Sequence, residues 1–193
     1  IKYWMHIPKW MHQDGNELQA RMCLDIGCAY GTLSLFAKET FNCQVCCTDV
    51  TDDYLSRTLV ERHGLAFSCG NIELDPLPWD ARFDAIIMTE VLEHLNFHPL
   101  PTLKKLHSML AEGGRLYLST PDASRWGRVI RYYPSLDQIP EPKKGSRFVD
   151  GHIWQYNKTE LFSVLDSSGF RVDRFAYSPG LANRHFNLVA VPK

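Results

Sequence analysis

The sequence predicts an α/β protein, with a mostly parallel sheet held between two layers of helices. Three observations predict it. Short apolar runs alternate with helix-spaced apolar stripes from about residue 22 onward. Polar or glycine-bearing turns follow successive apolar runs, where an open α/β sheet builds its ligand crevice. The last two runs have no helical stripe between them, so they form a hairpin and one strand runs antiparallel to the rest.

The elements follow in order. Trp4, Ile7, Trp10 and Met11 have helical spacing, interrupted by Pro8 and broken at Gly15-Asn16-Glu17. Met22 to Ile26 is a buried strand, and the turn Gly27 to Gly31 leads into a helix carrying Leu33, Phe36 and Ala37. Gln44 to Thr48 is the second strand, ending at Asp49. Thr51 suits an N-cap, with Asp52 and Asp53 in the first turn and Tyr54, Leu55, Thr58 and Leu59 facing inward; Gly64 stops that helix. Leu65 to Cys69 is the third strand, and Phe83 to Met88 the fourth, apolar enough to be buried on both faces. Leu103, Leu106 and Leu110 form a helix stripe closed by Gly113-Gly114, before a fifth strand at Leu116 to Leu118. Asn157 with Glu160 makes a capping box for a last helix, stopped at Gly169. Strands near 170–177 and 185–191 complete a seven-stranded sheet.

Length and composition agree with one globular domain over 1–193: 193 residues, 45% hydrophobic and 22% charged. Residues 1–20 read as a helical lid or cap. Residues 120–152, rich in proline and poor in periodicity, read as an insertion on the substrate side. The net charge of -1 excludes a global pull toward nucleic acid or an anionic membrane. No apolar run approaches the ~20 residues of a membrane span, and the start lacks the apolar core of a signal peptide. The chain opens on Ile1 rather than Met, which leaves room for residues upstream. Cys23, Cys28, Cys43, Cys46, Cys47 and Cys69 crowd the first part of the chain, mostly in apolar runs. That pattern fits buried thiols in a reducing cytoplasm rather than a disulfide framework. Cys43 and Cys46 form a CxxC without a second pair or a nearby His to complete a zinc site.

Four segments carry candidate chemistry. LDIGCAYG, residues 24–31, joins a strand to a helix, and Gly27 and Gly31 allow close approach to the backbone near a helix N-terminus. The spacing differs from the GxGxxG of dinucleotide sites. Asp49, at the end of the second strand, can accept both hydroxyls of a ribose. Asn71, after the third strand, can donate to and accept from an adenine edge. Glu90-Val91-Leu92-Glu93-His94 follows the fourth.

Together these segments resemble the class I S-adenosylmethionine-dependent methyltransferases, whose Rossmann-like sheet has seven strands with the last antiparallel. LDIGCAYG is similar to that family's LDIGCGxG, with Ala29 in place of the middle glycine. FDAIIMTEVLEHL, GGRLYLSTPD and HIWQYNKTEL resemble the branch that includes ubiquinone-biosynthesis O-methyltransferases. The resemblance implies S-adenosylmethionine as cofactor, with S-adenosylhomocysteine as product. It implies that Asp25, Gly27, Cys28, Ala29 and Gly31 hold the methionine end and Asp49 the ribose. Val50, Asn71 and Ile72 would border the adenine, and Glu90 would lie near the methionine moiety.

The expected reaction is in-line methyl transfer to a small-molecule acceptor at oxygen or nitrogen, where alignment supplies much of the acceleration. An acceptor that must lose a proton needs a base. His152, His94 and His98 are the candidates, with Glu93 behind them, and His152 leads because it precedes Trp154 and Tyr156, which could shape an acceptor pocket. ExxEH, read as helical, would put Glu90, Glu93 and His94 together, and with His152 they could hold a divalent cation. Small-RNA 2′-O-methyltransferases show a similar pattern. No metal is the favoured reading. Arg125, Arg128, Arg131, Lys143, Lys144 and Arg147 would suit RNA phosphates, but Asp122, Asp137 and Glu141 balance them, so the segment reads as a solvated charged loop. RNA is the lesser partner, no membrane partner is expected, and a homodimer stays open. A cofactor-binding or regulatory protein without transferase activity is the other class in play.

Overall fold

A computed structural model describes residues 2–126, 132–146, 148–179 and 184–193. In chain order the elements are α1 (His6–Leu18), β1 (Met22–Ile26), α2 (Thr32–Phe41), β2 (Gln44–Asp49), α3 (Arg57–His63), β3 (Ala66–Cys69) and β4 (Phe83–Thr89). They continue with α4 (Pro99–Met109), β5 (Leu110–Pro121), α5 (Ala123–Trp126), α6 (Lys158–Ser167), β6 (Phe170–Tyr177) and β7 (His185–Pro192). The seven strands form one sheet in the order β3-β2-β1-β4-β5-β7-β6. β1 to β5 pair in parallel, and β7 is antiparallel to both β5 and β6. The predicted three-layer sandwich with an antiparallel last strand is therefore the observed fold. Among the described residues no helix is long and apolar enough to cross a membrane.

The central strands are apolar throughout because both faces are covered. Ile86 and Met88 of β4, with Leu116 and Leu118 of β5, pack into one core layer with Trp154, Tyr156 and Leu161. Ala85, Ile87 and Tyr117 point the other way, toward Ile7, Met11 and Ala37. The two-residue period thus sorts one strand into two cores. Trp154 and Tyr156 are about 1% exposed, so they pack the sheet rather than border an acceptor pocket.

Several local expectations change. α1 runs through Gly15 to Leu18, because Gly15 sits under the Thr40 carbonyl at the close approach to α2; a Cβ there would lie 3.3 Å from that oxygen. Helix α1 is a layer helix: Ile7 and Met11 are buried. Its Asp14 lies under the sheet, paired with Arg115 and Arg174 and accepting from the Tyr117 hydroxyl at 2.6 Å. α3 begins at Arg57 with Ser56 as N-cap; Thr51 instead donates to Asp53 at 2.6 Å in a loop. Leu110 opens β5 rather than closing α4. The capping box at Asn157 and Glu160 is present, and Gly64 ends α3 in a left-handed conformation.

Candidate active site

The ends of β1 to β4 frame a cavity of about 270 Å³. Gly27, Ala29, Asp49, Val50, Asn71, Ile72 and Glu90 line it, together with His94. These are the residues singled out from the sequence, brought to one place by the parallel register: Ile26 lies beside Thr48 and Met88, and Asp49 beside Cys69.

The glycine turn works differently from expectation. Four of its amides are engaged within the protein: Gly27 N and Cys28 N donate to the Thr48 carbonyl at 2.8 and 3.2 Å, and Gly31 N donates to Cys28 O at 2.7 Å. Ala29 N donates to Asp49 Oδ2 at 2.9 Å. Gly27 has φ +68°, and a Cβ on it would lie 2.3 Å from Val91 Cγ2. Packing of the turn against Val91 therefore requires glycine, independently of any ligand. Ala29 itself has φ 42°, a left-handed backbone secured by Asp49.

Asp25, Cys28 and Gly31 do not line the cavity. Asp25 is buried beneath the turn, accepting from Ser34 Oγ at 2.6 Å. Burial pushes its carboxyl up to about 7, against the Ser34 hydrogen bond, which favours the charged form. A folded-state value raised above the unfolded one contributes stability that is full below about pH 4 and lost as pH rises through 7. We expect the apo melting temperature to fall between about pH 4 and 7, and Asp25→Asn to flatten that slope. An unchanged slope in the variant would assign the effect elsewhere. Cys28 is buried too, and its thiol is pushed up by the Cys47 thiol beside it and by burial.

The 71–73 wall of the cavity is buttressed by residues the sequence did not suggest. Glu73 lines the cavity and accepts from Asn96 N and Phe97 N, each at 2.8 Å. Lys105 Nζ donates to the carbonyls of Ile72 and Asp75 at 3.0 and 2.6 Å. Asn71 Oδ1 accepts from Glu73 N at 2.8 Å, so its side chain shapes the turn as well as the wall. Asn96 clasps Val149, accepting from its N at 2.7 Å and donating to its O at 3.0 Å. This clasp holds a segment whose Phe148 and Asp150 also line the cavity. No residue of α1 does so.

ExxEH is not helical throughout. Glu90 takes a left-handed backbone, φ 56°, and only Leu92–His94 form a single 3₁₀ turn. Glu90 and Glu93 therefore diverge. Glu90 accepts from Ser119 Oγ at 2.6 Å and pairs with His185 Nε2 at 2.9 Å. Glu93, 1% exposed, accepts from Thr120 Oγ1 at 2.8 Å through Oε2, while its Oε1 is buried with no hydrogen-bond partner among the described residues. Burial, with the Glu90 charge nearby, pushes the Glu93 carboxyl well above the usual range.

Ligating atoms of Glu93, His94 and His152 lie within 4.8 Å of one another, and the two rings meet edge to face at 4.7 Å. Burial lowers both imidazoles, and His152 lowers His94 further. His152 Nδ1 lies 3.0 Å from Gln155 Nε2. A metal would thus meet three of the four expected residues, with Glu90 committed elsewhere. His98 is excluded from the site: its Nδ1 accepts from Leu100 N at 3.3 Å as the N-cap of α4. In the 120–152 segment Arg125, Lys143 and Lys144 are exposed, while Arg128, Arg131 and Arg147 lie outside the described residues. Asp122 does not balance them at the surface: it is buried against Arg184.

Known proteins share this architecture. A 1,6-didemethyltoxoflavin-N1-methyltransferase from Burkholderia thailandensis, solved with its namesake ligand and S-adenosylhomocysteine, superposes with a TM-score of 0.72. It is 17% identical, over 97% of this chain and 77% of that one. The magnesium protoporphyrin IX methyltransferase of Synechocystis, with S-adenosylmethionine bound, gives 0.65 at 18% identity, over 98% and 77% of the two chains. At those identities the likeness is one of fold. A probable fatty acid methyltransferase of Pseudomonas putida is 25% identical over 150 residues, 75% of this chain. The chain spans 36% of that relative's length. The family model described as a methyltransferase domain matches residues 12–174, and the chain belongs to that family.

Proposed function

We propose that this chain transfers a methyl group from S-adenosylmethionine to a small-molecule acceptor, at oxygen or nitrogen. One observation carries the reading: a single cavity at the strand ends gathers Asp49, Val50, Asn71, Ile72 and Glu90 around the Gly27 turn. Asp49 takes the ribose hydroxyls, Val50 and Ile72 flank the base, and Glu90 faces the methionine end. Bound there, S-adenosylmethionine supplies an activated methyl group. The chain's own residues then align the acceptor and receive its proton. His94, which lines the cavity, and His152, whose ring meets it edge to face at 4.7 Å, are the proton-accepting pair, His152 first. The small ligands of the fold neighbours support a small acceptor over RNA, and the EVLEHL and STPD segments support the ubiquinone-type branch. The end of the 120–152 segment serves the substrate side, since Phe148 and Asp150 reach the cavity.

Release of S-adenosylhomocysteine, measured against a panel of small phenols, amines and carboxylic acids, tests the transfer. Wild type is expected to turn over at least one class, and His152→Gln to lower kcat by roughly 100-fold with cofactor affinity retained. Tight cofactor binding without turnover of any acceptor would instead identify a binding protein. The buried Glu93 Oε1, without a hydrogen-bond partner among the described residues and beside His94 and His152, favours a second reading, a divalent cation at that cluster. Calorimetric titration with Mn²⁺ decides it: heat lost in Glu93→Gln supports the cation, and no heat in wild type removes it.

A further inference from the structure

Glu90 lines the cavity with both its backbone and its carboxylate held. Its backbone sits at φ 56°, a region that residues bearing a Cβ seldom occupy. Two strands hold it there. Its N donates to Ser119 O at 2.9 Å, and Ser119 Oγ donates to its Oε1 at 2.6 Å, both from β5. From β7, His185 lies 2.9 Å from its Oε2; with Glu90 as a carboxylate, His185 Nε2 carries the proton and donates. His185 and Ser119 are themselves buried, at 1% and 0% exposure. The imidazole is fixed in turn: Tyr3 lays its ring 4.3 Å from it, and Asn187 secures the Tyr3 segment by donating to Tyr3 O at 2.7 Å and accepting from His6 N at 3.1 Å. Strained backbone held by so many contacts marks a side chain whose direction matters.

S-adenosylmethionine and S-adenosylhomocysteine differ by one methyl group and the positive charge on sulfur. A carboxylate fixed at the methionine end can read that charge, whereas a mobile one would swing away into water. We propose that His185 and Ser119 are positioning residues that aim the Glu90 carboxylate into the cavity, so that the site prefers the charged methyl donor over its neutral product. This rests on the function proposed above. The preference would speed product exchange, since the attraction vanishes when the charge leaves with the methyl group.

Calorimetric titration of both ligands into wild type and variants tests it. Glu90→Gln, Ser119→Ala and His185→Leu are each expected to weaken S-adenosylmethionine roughly tenfold, the scale of losing one charge-assisted hydrogen bond or the charge itself. S-adenosylhomocysteine should change less than about threefold. His185→Gln, whose amide can still donate to Glu90, should restore most of the discrimination. If His185→Leu does not fold, Ser119→Ala, which deletes one hydroxyl, together with His185→Gln carries the decision. Equal losses for the two ligands, or none, would overturn the proposal. Failure of wild type to bind either ligand would overturn the cofactor assignment itself.

Discussion

Asp49→Ala should raise the dissociation constants of S-adenosylmethionine and S-adenosylhomocysteine together, by roughly 100-fold or more, in calorimetric titration. Two hydrogen bonds from ribose hydroxyls to a carboxylate are each worth about 1.5–3 kcal/mol. The same residue has a second task that the cavity alone would not reveal. Its Oδ2 accepts from Ala29 N at 2.9 Å, and Ala29 occupies a left-handed backbone at φ 42°. Truncation therefore removes both the proposed ribose acceptor and the anchor of the glycine turn. Asp49→Asn keeps an acceptor for Ala29 and should lose less, about tenfold. The reading fails if the alanine variant binds within threefold of wild type. Loss of both ligands here, against loss of the charged ligand alone at Glu90, separates the ribose site from the methyl site.

The largest expected effect on stability lies away from the cavity, at Asp14. Its carboxylate is buried between α1 and the sheet, paired with Arg115 and Arg174 and accepting from the Tyr117 hydroxyl. Removing one partner of a buried charged group leaves the others unpaired and costs about 3–5 kcal/mol. Asp14→Ala should lower the melting temperature by roughly 6–20 °C in a chain of this size. Burial raises the Asp14 carboxyl, but its hydrogen bonds from Arg115, Tyr117 and Arg174 outweigh burial and hold it below the ordinary value. A depressed value gives stability that is present above about pH 4 and lost as pH falls through the folded-state value. Wild type should therefore lose stability on acidification in a way that Asp14→Ala does not. A variant that melts with wild type would show that the two guanidinium groups find other partners.

These predictions draw unequally on the sequence. Apolar runs alternating with helical stripes reveal which segments are strands and which are helices along the chain, because a strand buried on both faces must be apolar throughout and a helix on the sheet must be apolar along one side. Caps at Asn157 and Gly64 are local hydrogen-bond and backbone events, and so are legible from a few neighbouring residues. Asp49, Asn71 and Glu90 could be named because parallel strands bring their carboxyl ends to one edge whatever the distance along the chain.

What the sequence could not give is long-range. His185 reaches Glu90 from β7, which becomes a neighbour of β5 only once the sheet is assembled. Glu73, Asn96 and Lys105 act through backbone groups of other loops, and a backbone partner leaves no mark in residue type. ExxEH has helical spacing, yet the positive φ at Glu90 parts its two carboxylates, because hydrogen bonds from β5 and β7 outweigh local preference. Gly15 reads as a break in isolation but is the contact that lets α1 lie against α2. Residue pattern thus determined the layers, the strands and the edge where chemistry gathers. Only the packed sheet decided which carboxylate is held, by which partners, and in which direction.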